Sequence, residues 1–168
     1  EKPQKGRYRE FGQCDLDIIG ADSIGADAEV VLNFMRVLNA LEIGPFTVQV
    51  NHRRVLSALI SQFLQTDATQ ETAILIAIDK LDKIGAPGVT EILKQIPGIN
   101  PDRISEFLSV LTSKNAQGET DLNTIAVLLK DDPQGSASVN ELRTFLKLVP
   151  SSQRGQVRLN LAIARGLG

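Results

Sequence analysis

Two periods of hydrophobic and polar residues run through this chain. Over residues 6–20 the side chains alternate as on an extended strand, where successive residues face opposite ways. One face would carry Arg7, Arg9, Phe11, Gln13, Asp15 and Asp17; the other would carry Tyr8, Glu10, Gly12, Cys14, Leu16 and Ile18. The first face mixes guanidinium, amide and carboxylate groups, and the run ends in the apolar Leu16, Ile18 and Ile19. The pattern predicts a strand that enters a core while holding a charged set in a cleft, or else an exposed edge strand. Residues 26–41 then change period: Val30, Val31, Phe34, Val37, Leu38 and Leu41 fall three and four apart, as on a helix. Asp27 and Glu29 stand in its first turn, where the helix dipole favours negative charge. Gly44 and Pro45 end it. Phe46, Val48 and Val50 alternate with Thr47, Gln49 and Asn51, which predicts a second strand.

From His52 to about Pro150 only the helical period appears. Val55, Leu56, Leu59, Ile60 and Phe63 form the first stripe. Asp67 to Gln70 reads as a capping box before Ala73, Ile74, Ala77, Ile78 and Leu81. The stretch from Gly85 to Gly88 breaks this helix, and a short one follows over residues 89–96. Asn100 is placed to cap a helix with Pro101 at its first position. Residues 115–118 are a loop, Leu122, Ile125, Ala126 and Leu129 mark another helix, and residues 131–135 close it. Ser138 to Glu141 reads as a capping box for a last helix bearing Leu142, Phe145, Leu146 and Val149. After a polar connector at residues 151–155, Val157, Leu159, Leu161 and Ile163 alternate with polar or small residues as a third strand. The order strand, helix, strand, long helical block, strand describes an α+β fold with a helical domain inserted into a loop of another domain.

Composition narrows the picture. The 168 residues suffice for one domain or a core with a small second module, and 42% are hydrophobic, as in ordinary globular proteins. The formal net charge of -2 excludes a strong overall attraction to nucleic acid, though not a local basic patch. A single cysteine, Cys14, rules out an internal disulfide and argues against a cysteine zinc site; a single histidine, His52, rules out a histidine cluster. Cys14 is expected to be a small buried hydrophobe, and His52 a helix-start residue without a catalytic partner nearby in sequence. No apolar run approaches the ~20 residues of a membrane span, and no signal peptide is visible. A soluble intracellular protein fits these features. The chain begins without Met in a polar segment and stops just after a strand-like run, so it is expected to be a piece of a longer chain.

Two sets of cations invite chemistry. Lys2, Lys5, Arg7 and Arg9 would let the opening loop fold over a polyphosphate, or would form a solvated basic loop. Arg165 shares the parity of the apolar face of the last strand. A charge on such a row needs an anion, either a structural carboxylate such as Asp15 or Asp17, or a bound phosphate or carboxylate.

Glu1 to Asp17 resembles the second half of motif 2 of histidyl-tRNA synthetases, a class II aminoacyl-tRNA synthetase family. Val50 to Leu56 resembles the strand-to-helix step that follows in that family, and Leu161 to Gly168 resembles its histidine-specific Ala-Arg-Gly-Leu stretch. The order and spacing of these motifs match from end to end, least closely in the helical block. The resemblance implies part of a class II antiparallel sheet with an all-helical insertion: residues 1–53 partial catalytic core, residues 54–153 insertion domain, and residues 154–168 a returning core strand.

The same resemblance implies roles. Glu1 would contact the adenine end of ATP, and Arg7 would reach the nucleotide. Gln13 and Asp17 would hold the amino group of histidine. Arg165 would bridge the substrate carboxylate and the α-phosphate, as the catalytic arginine. The implied activity is ATP-dependent activation of histidine and its transfer to tRNA(His). Mg2+ would come with ATP, without a metal site of this chain's own, and the setting would be a cytoplasmic homodimer. The helical block would lean toward the tRNA acceptor arm. On an ideal strand Gln13 and Asp17 stand ~13 Å apart, so sharing one ligand requires a bulge, which Gly12 would permit, or a ligand lying along the strand.

The sequence departs from the family pattern at Gly12, where an aromatic residue or His is frequent, and at Gly168, where Asp is common. Motif 1, the opening of motif 2, the Tyr-Tyr pair, motif 3 and the anticodon-binding domain lie outside these residues. This piece alone is therefore expected not to aminoacylate. Other readings are a synthetase-like regulatory subunit of ATP phosphoribosyltransferase, a synthetase-like domain sensing uncharged tRNA, and a helical interaction module on a small sheet. Arg165 and the long helical block favour the enzyme.

Overall fold

The computed structural model describes residues 10–66 and 68–164. Eight helices and two short strands follow one another among the described residues: α1 (Ile24–Ala40), β1 (Val48–Val50), α2 (Arg53–Leu64), α3 (Ala68–Ile78), α4 (Leu81–Lys94), α5 (Pro101–Thr112), α6 (Leu122–Leu128), α7 (Pro133–Leu148), α8 (Ser151–Arg154) and β2 (Val157–Leu159). The fold is α+β and mostly helical.

Helix starts follow local chemistry. The side chains of Asn100, Asp121 and Asp132 each accept the backbone N–H two residues on, at the heads of α5, α6 and α7. Pro101 and Pro133 occupy first-turn positions, where the missing N–H costs nothing. The α7 start corrects the sequence reading. Asp132 and Pro133 begin this helix, so Ser138 lies buried inside it rather than capping it. The cap-plus-proline pair supplies both an acceptor and a preset φ, and it outcompetes the Ser138 box. Helix α4 carries the expected break at Gly85, whose φ of 68° is left-handed and favours glycine. Asp67 lies outside the described residues, and Gln70 donates its side-chain amide to the carbonyl of Pro97.

The main core joins Leu56, Leu59, Ile60 and Phe63 of α2 to Ile74, Leu93, Phe107, Leu111 and Leu142 of the other helices, and to Leu159, Leu161 and Ala164. Gly135 brings α7 against α2, because a Cβ there would lie 3.1 Å from that of Ala58. Phe63 and Phe107 pack at a 6.3 Å centroid distance, with the Arg103 guanidinium 5.4 Å from the Phe63 ring centroid. A smaller core gathers Ala28 and Met35 of α1, Phe145 and Val149 around α7, and Val157 of β2. Helix α7 therefore serves both cores. The α1 stripe is wider than this contact, and Phe34, Val37 and Leu41 are exposed rather than core as the spacing suggested.

Strand β1 pairs with β2 in parallel, Val48 opposite Val157 and Val50 opposite Leu159. The antiparallel pairing expected for the sheet is thus not the pairing of these two strands. The last strand is also shorter than its alternation predicts. The side chain of Asn160 accepts the Ala162 N–H at 3.1 Å, and the Ile163 N–H donates to the Asn160 carbonyl at 3.2 Å. The backbone turns there, although Leu161 and Ala164 stay buried.

The greatest departure concerns residues 6–20. Residues 6–9 lie outside the described residues. Residues 10–20 form no strand, and all of them but the half-buried Ile18 are exposed. Cys14 is exposed, not buried. An alternating pattern becomes a strand only where a neighbour accepts its backbone hydrogen bonds, and no described strand pairs with this segment.

Candidate active site

Residues Leu16 to Ile18 and the head of α1 share a cleft with the junction of β1 and α2. Its volume is about 670 Å³. Asp17, Asp22 and Asp27 line one side, and His52, Arg53, Arg54 and Glu141 line the other. A second hollow of about 360 Å³ shares Asp27, His52 and Arg53 and reaches Asn51 and Phe145. The cleft places carboxylates beside guanidinium groups, an arrangement suited to a ligand that carries charge of both signs.

The α2 junction is held by hydrogen bonds. His52 Nε2 lies 2.7 Å from Glu141 Oε2 of α7, and its Nδ1 is buried without a partner among the described residues. Asn51 Oδ1 accepts the His52 N–H at 2.7 Å. Asn51 Nδ2 donates to the carbonyls of Leu161 at 3.3 Å and Ile163 at 2.7 Å. Arg53 approaches Glu71 at 3.5 Å, and Ser57 donates to the same carboxylate at 2.7 Å.

Residues of the helical block hold β2 from the other side. Glu119 is buried and accepts from Arg154 Nη2 at 3.0 Å and from the Leu159 N–H at 3.3 Å. Arg154 Nη1 also donates to the Val157 carbonyl at 2.8 Å. The Thr120 N–H donates to the Leu159 carbonyl at 2.9 Å, and its hydroxyl accepts the Leu161 N–H at 3.3 Å. Lys114 donates to Asn160 at 2.9 Å. Burial pushes the Lys114 ammonium below its ordinary pKa, against the opposing pull of Asp82.

Of the residues singled out from sequence, Asp17 lines the cleft. Gln13 is exposed and is not among the cleft-lining residues. The ~13 Å ideal-strand separation of these two no longer applies, because no strand connects them. Glu1, Arg7 and Arg165 lie outside the described residues. Sequence reasoning assigned no site role to Asn51 and Glu141 and gave His52 no partner. His52 and Glu141 are 89 positions apart, and the local sequence marks Glu141 as part of a cap. The available signal was the polar triplet after β1, three hydrogen-bonding side chains directly following an apolar strand. Among the described residues no group of three or more His, Cys, Asp or Glu is arranged to hold a metal ion, and no helix is long and apolar enough to cross a membrane.

The family model for histidyl-tRNA synthetase matches residues 1–168, the whole chain. The chain belongs to the histidyl-tRNA synthetase family. Among its relatives, a histidine–tRNA ligase of Helicobacter pylori is 36% identical over all of this chain and 38% of its own length. That of Helicobacter hepaticus is 37% identical over all of this chain and 39% of its own. A crystal structure of histidyl-tRNA synthetase from Nostoc sp. PCC 7120 superposes with a TM-score of 0.75 at 27% identity, covering 86% of this chain and 34% of that one. The chain thus spans under two fifths of the length of these curated relatives.

Proposed function

We propose that this chain is the part of a histidine–tRNA ligase that runs from the second half of motif 2, through a helical insertion, to the histidine-specific arginine stretch. The observation that carries this reading is the family match along all 168 residues. The ligase name borne by the relatives favours the enzyme over a regulatory relative. In this reading residues 1–53 and 154–168 belong to the class II catalytic core and residues 54–153 form the insertion. The ligase acts in the cytoplasm as a homodimer.

The chemistry is an in-line attack of the histidine carboxylate on the α-phosphate of ATP. A carboxylate oxygen bonds to phosphorus, the bond to the bridging oxygen breaks, and pyrophosphate leaves with that electron pair. The histidyl group of the adenylate then passes to tRNA(His), releasing AMP. Two anions must meet in the first step while charge builds on the phosphoryl oxygens. Arg165 bridges carboxylate and phosphate, aligning them and stabilising that charge. Asp17 receives the substrate ammonium through charge-assisted hydrogen bonds, with Gln13 as its companion, and the position of Asp17 on the cleft wall supports this assignment. Glu1 meets the adenine end of ATP, and Arg7 reaches the nucleotide. Mg2+ enters with ATP as its counterion.

The test is histidine-dependent exchange of pyrophosphate into ATP, measured on the protein at the full length of its relatives. Arg165→Ala is expected to lower exchange ~10²–10³-fold. Undiminished exchange would remove Arg165 from the mechanism.

A further inference from the structure

We infer that Asn51 is a positioning residue for the arginine stretch. The inference rests on the role of Arg165 proposed above. Strand β1 ends at Val50, whose carbonyl accepts the Asn160 N–H at 3.0 Å. Past that point no described β1 backbone group pairs with residues 161–164, and the chain has already turned at Asn160. The Asn51 side chain takes over. A primary amide offers two N–H donors and one oxygen acceptor. Here the nitrogen donates to the carbonyls of Leu161 and Ile163, and the oxygen receives the His52 N–H. One side chain therefore extends the strand pair by two further bonds while anchored to the start of α2. The carbonyl held most closely, that of Ile163 at 2.7 Å, belongs to the residue two before Arg165.

No other described group substitutes for it. The Thr120 hydroxyl meets only the Leu161 N–H, on the side of the helical block. Asn160 turns its own oxygen to Lys114 and Ala162. The carbonyls of Leu161 and Ile163 thus depend on Asn51 for their only hydrogen bonds among the described residues. Catalysis that relies on aligning a guanidinium with two reacting anions is sensitive to displacements of the order of 1 Å. Loss of these two bonds should therefore show in turnover more than in nucleotide binding.

Asn51→Asp isolates the donor function. The carboxylate still accepts the His52 N–H but cannot donate to the two carbonyls, and it repels them. In the full-length protein, Asn51→Asp and Asn51→Ala are both expected to lower kcat for pyrophosphate exchange about 10- to 100-fold, with KM for ATP held within about twofold. Phe107→Leu, which trims a buried ring packed on Phe63 and removes no hydrogen bond to residues 161–164, is the control for lost core packing and should keep most of kcat. Wild-type kcat in Asn51→Asp overturns the inference, as does an equal loss in Phe107→Leu. Full exchange in Arg165→Ala, measured in parallel, marks failure of the underlying reading instead and takes the inference with it. Should Asn51→Asp fail to fold, Asn51→Ser, with a single donor, replaces it under the same outcomes.

Discussion

Residues 10–20 and residues 157–164 are both rich in residues that sequence alone reads as strand, and both carry or adjoin a proposed substrate-binding group. They end in opposite states. The first segment is exposed except at Ile18 and unpaired among the described residues; the second is buried at Val157, Leu159, Leu161 and Ala164 and bonded along both sides. The difference lies in neighbours. Strand β2 meets β1 on one edge; on the other, Leu159 bonds Glu119 and Thr120 and the Val157 carbonyl accepts from Arg154, while the side chains of Val157 and Leu159 join two cores. Gln13, Cys14 and Asp15 have no such supports among the described residues. Polar residues consequently do different work in the two regions. Those at the seam hold the backbone, whereas those of the exposed segment make no such bonds among the described residues, as the ligand-binding role proposed for Asp17 requires.

That division can be broken by substitution. The largest effect is expected at Glu119. Glu119→Ala removes the acceptor of both Arg154 and the Leu159 N–H and leaves a half-buried guanidinium unpaired, which should lower unfolding free energy by about 2–3 kcal/mol in denaturant titration. A loss below about 0.5 kcal/mol would mean the seam does not depend on this carboxylate. Asp17→Ala should do the reverse. Its effect on stability should stay within about 0.5 kcal/mol, as for exposed sites. In the full-length protein it should raise KM for histidine about 10- to 100-fold, the worth of one charge-assisted bond. Equal KM values would remove Asp17 from the amino-group site.

The smallest effect is expected at Asp121, next to the seam residue Thr120. Hydrogen bonds from the Thr124 hydroxyl and the Asn123 N–H hold its carboxyl below the ordinary range. A group whose pKa falls on folding stabilises fully above its unfolded value and loses that contribution as pH drops through the lower folded one. Wild type should therefore lead Asp121→Asn in thermal midpoint at neutral pH, and the gap should close on acidification below the usual carboxylate range. A gap constant with pH would rule out the ionised cap as its source.

The helices were legible because their signals are local. Apolar spacing drew the stripes of α2 and α5, and Asn100–Pro101 and Gly85 announced a start and a break. Asp132–Pro133 was equally local, yet Ser138 and Glu141 offered a competing box, and the cap with its proline prevailed. The site was less legible for the converse reason. Asn51 meets Ile163 at a separation of 112 residues, and His52 meets Glu141 at 89. No window of sequence contains either pair. Even the end of β2 was set by the Asn160 side chain bonding to its own downstream backbone, against the alternation that continues to Ile163.

The parallel pairing of β1 and β2 carries one more consequence. Parallel neighbours cannot be joined by a tight turn and need a crossover. Here that crossover is the whole helical block, placing bonded side chains such as Gln49 and Asn160 111 positions apart. As the chain leaves the ribosome, β1 emerges long before its partner, at ~5–20 residues per second. The interval of roughly five to twenty seconds leaves Val48 and Val50 without their strand partners while α2 to α7 can already collapse around Phe107 and Leu111. The helical block is then the template on which the strand pair closes, and the seam through Leu159 and Leu161 is among the last parts of this chain to form.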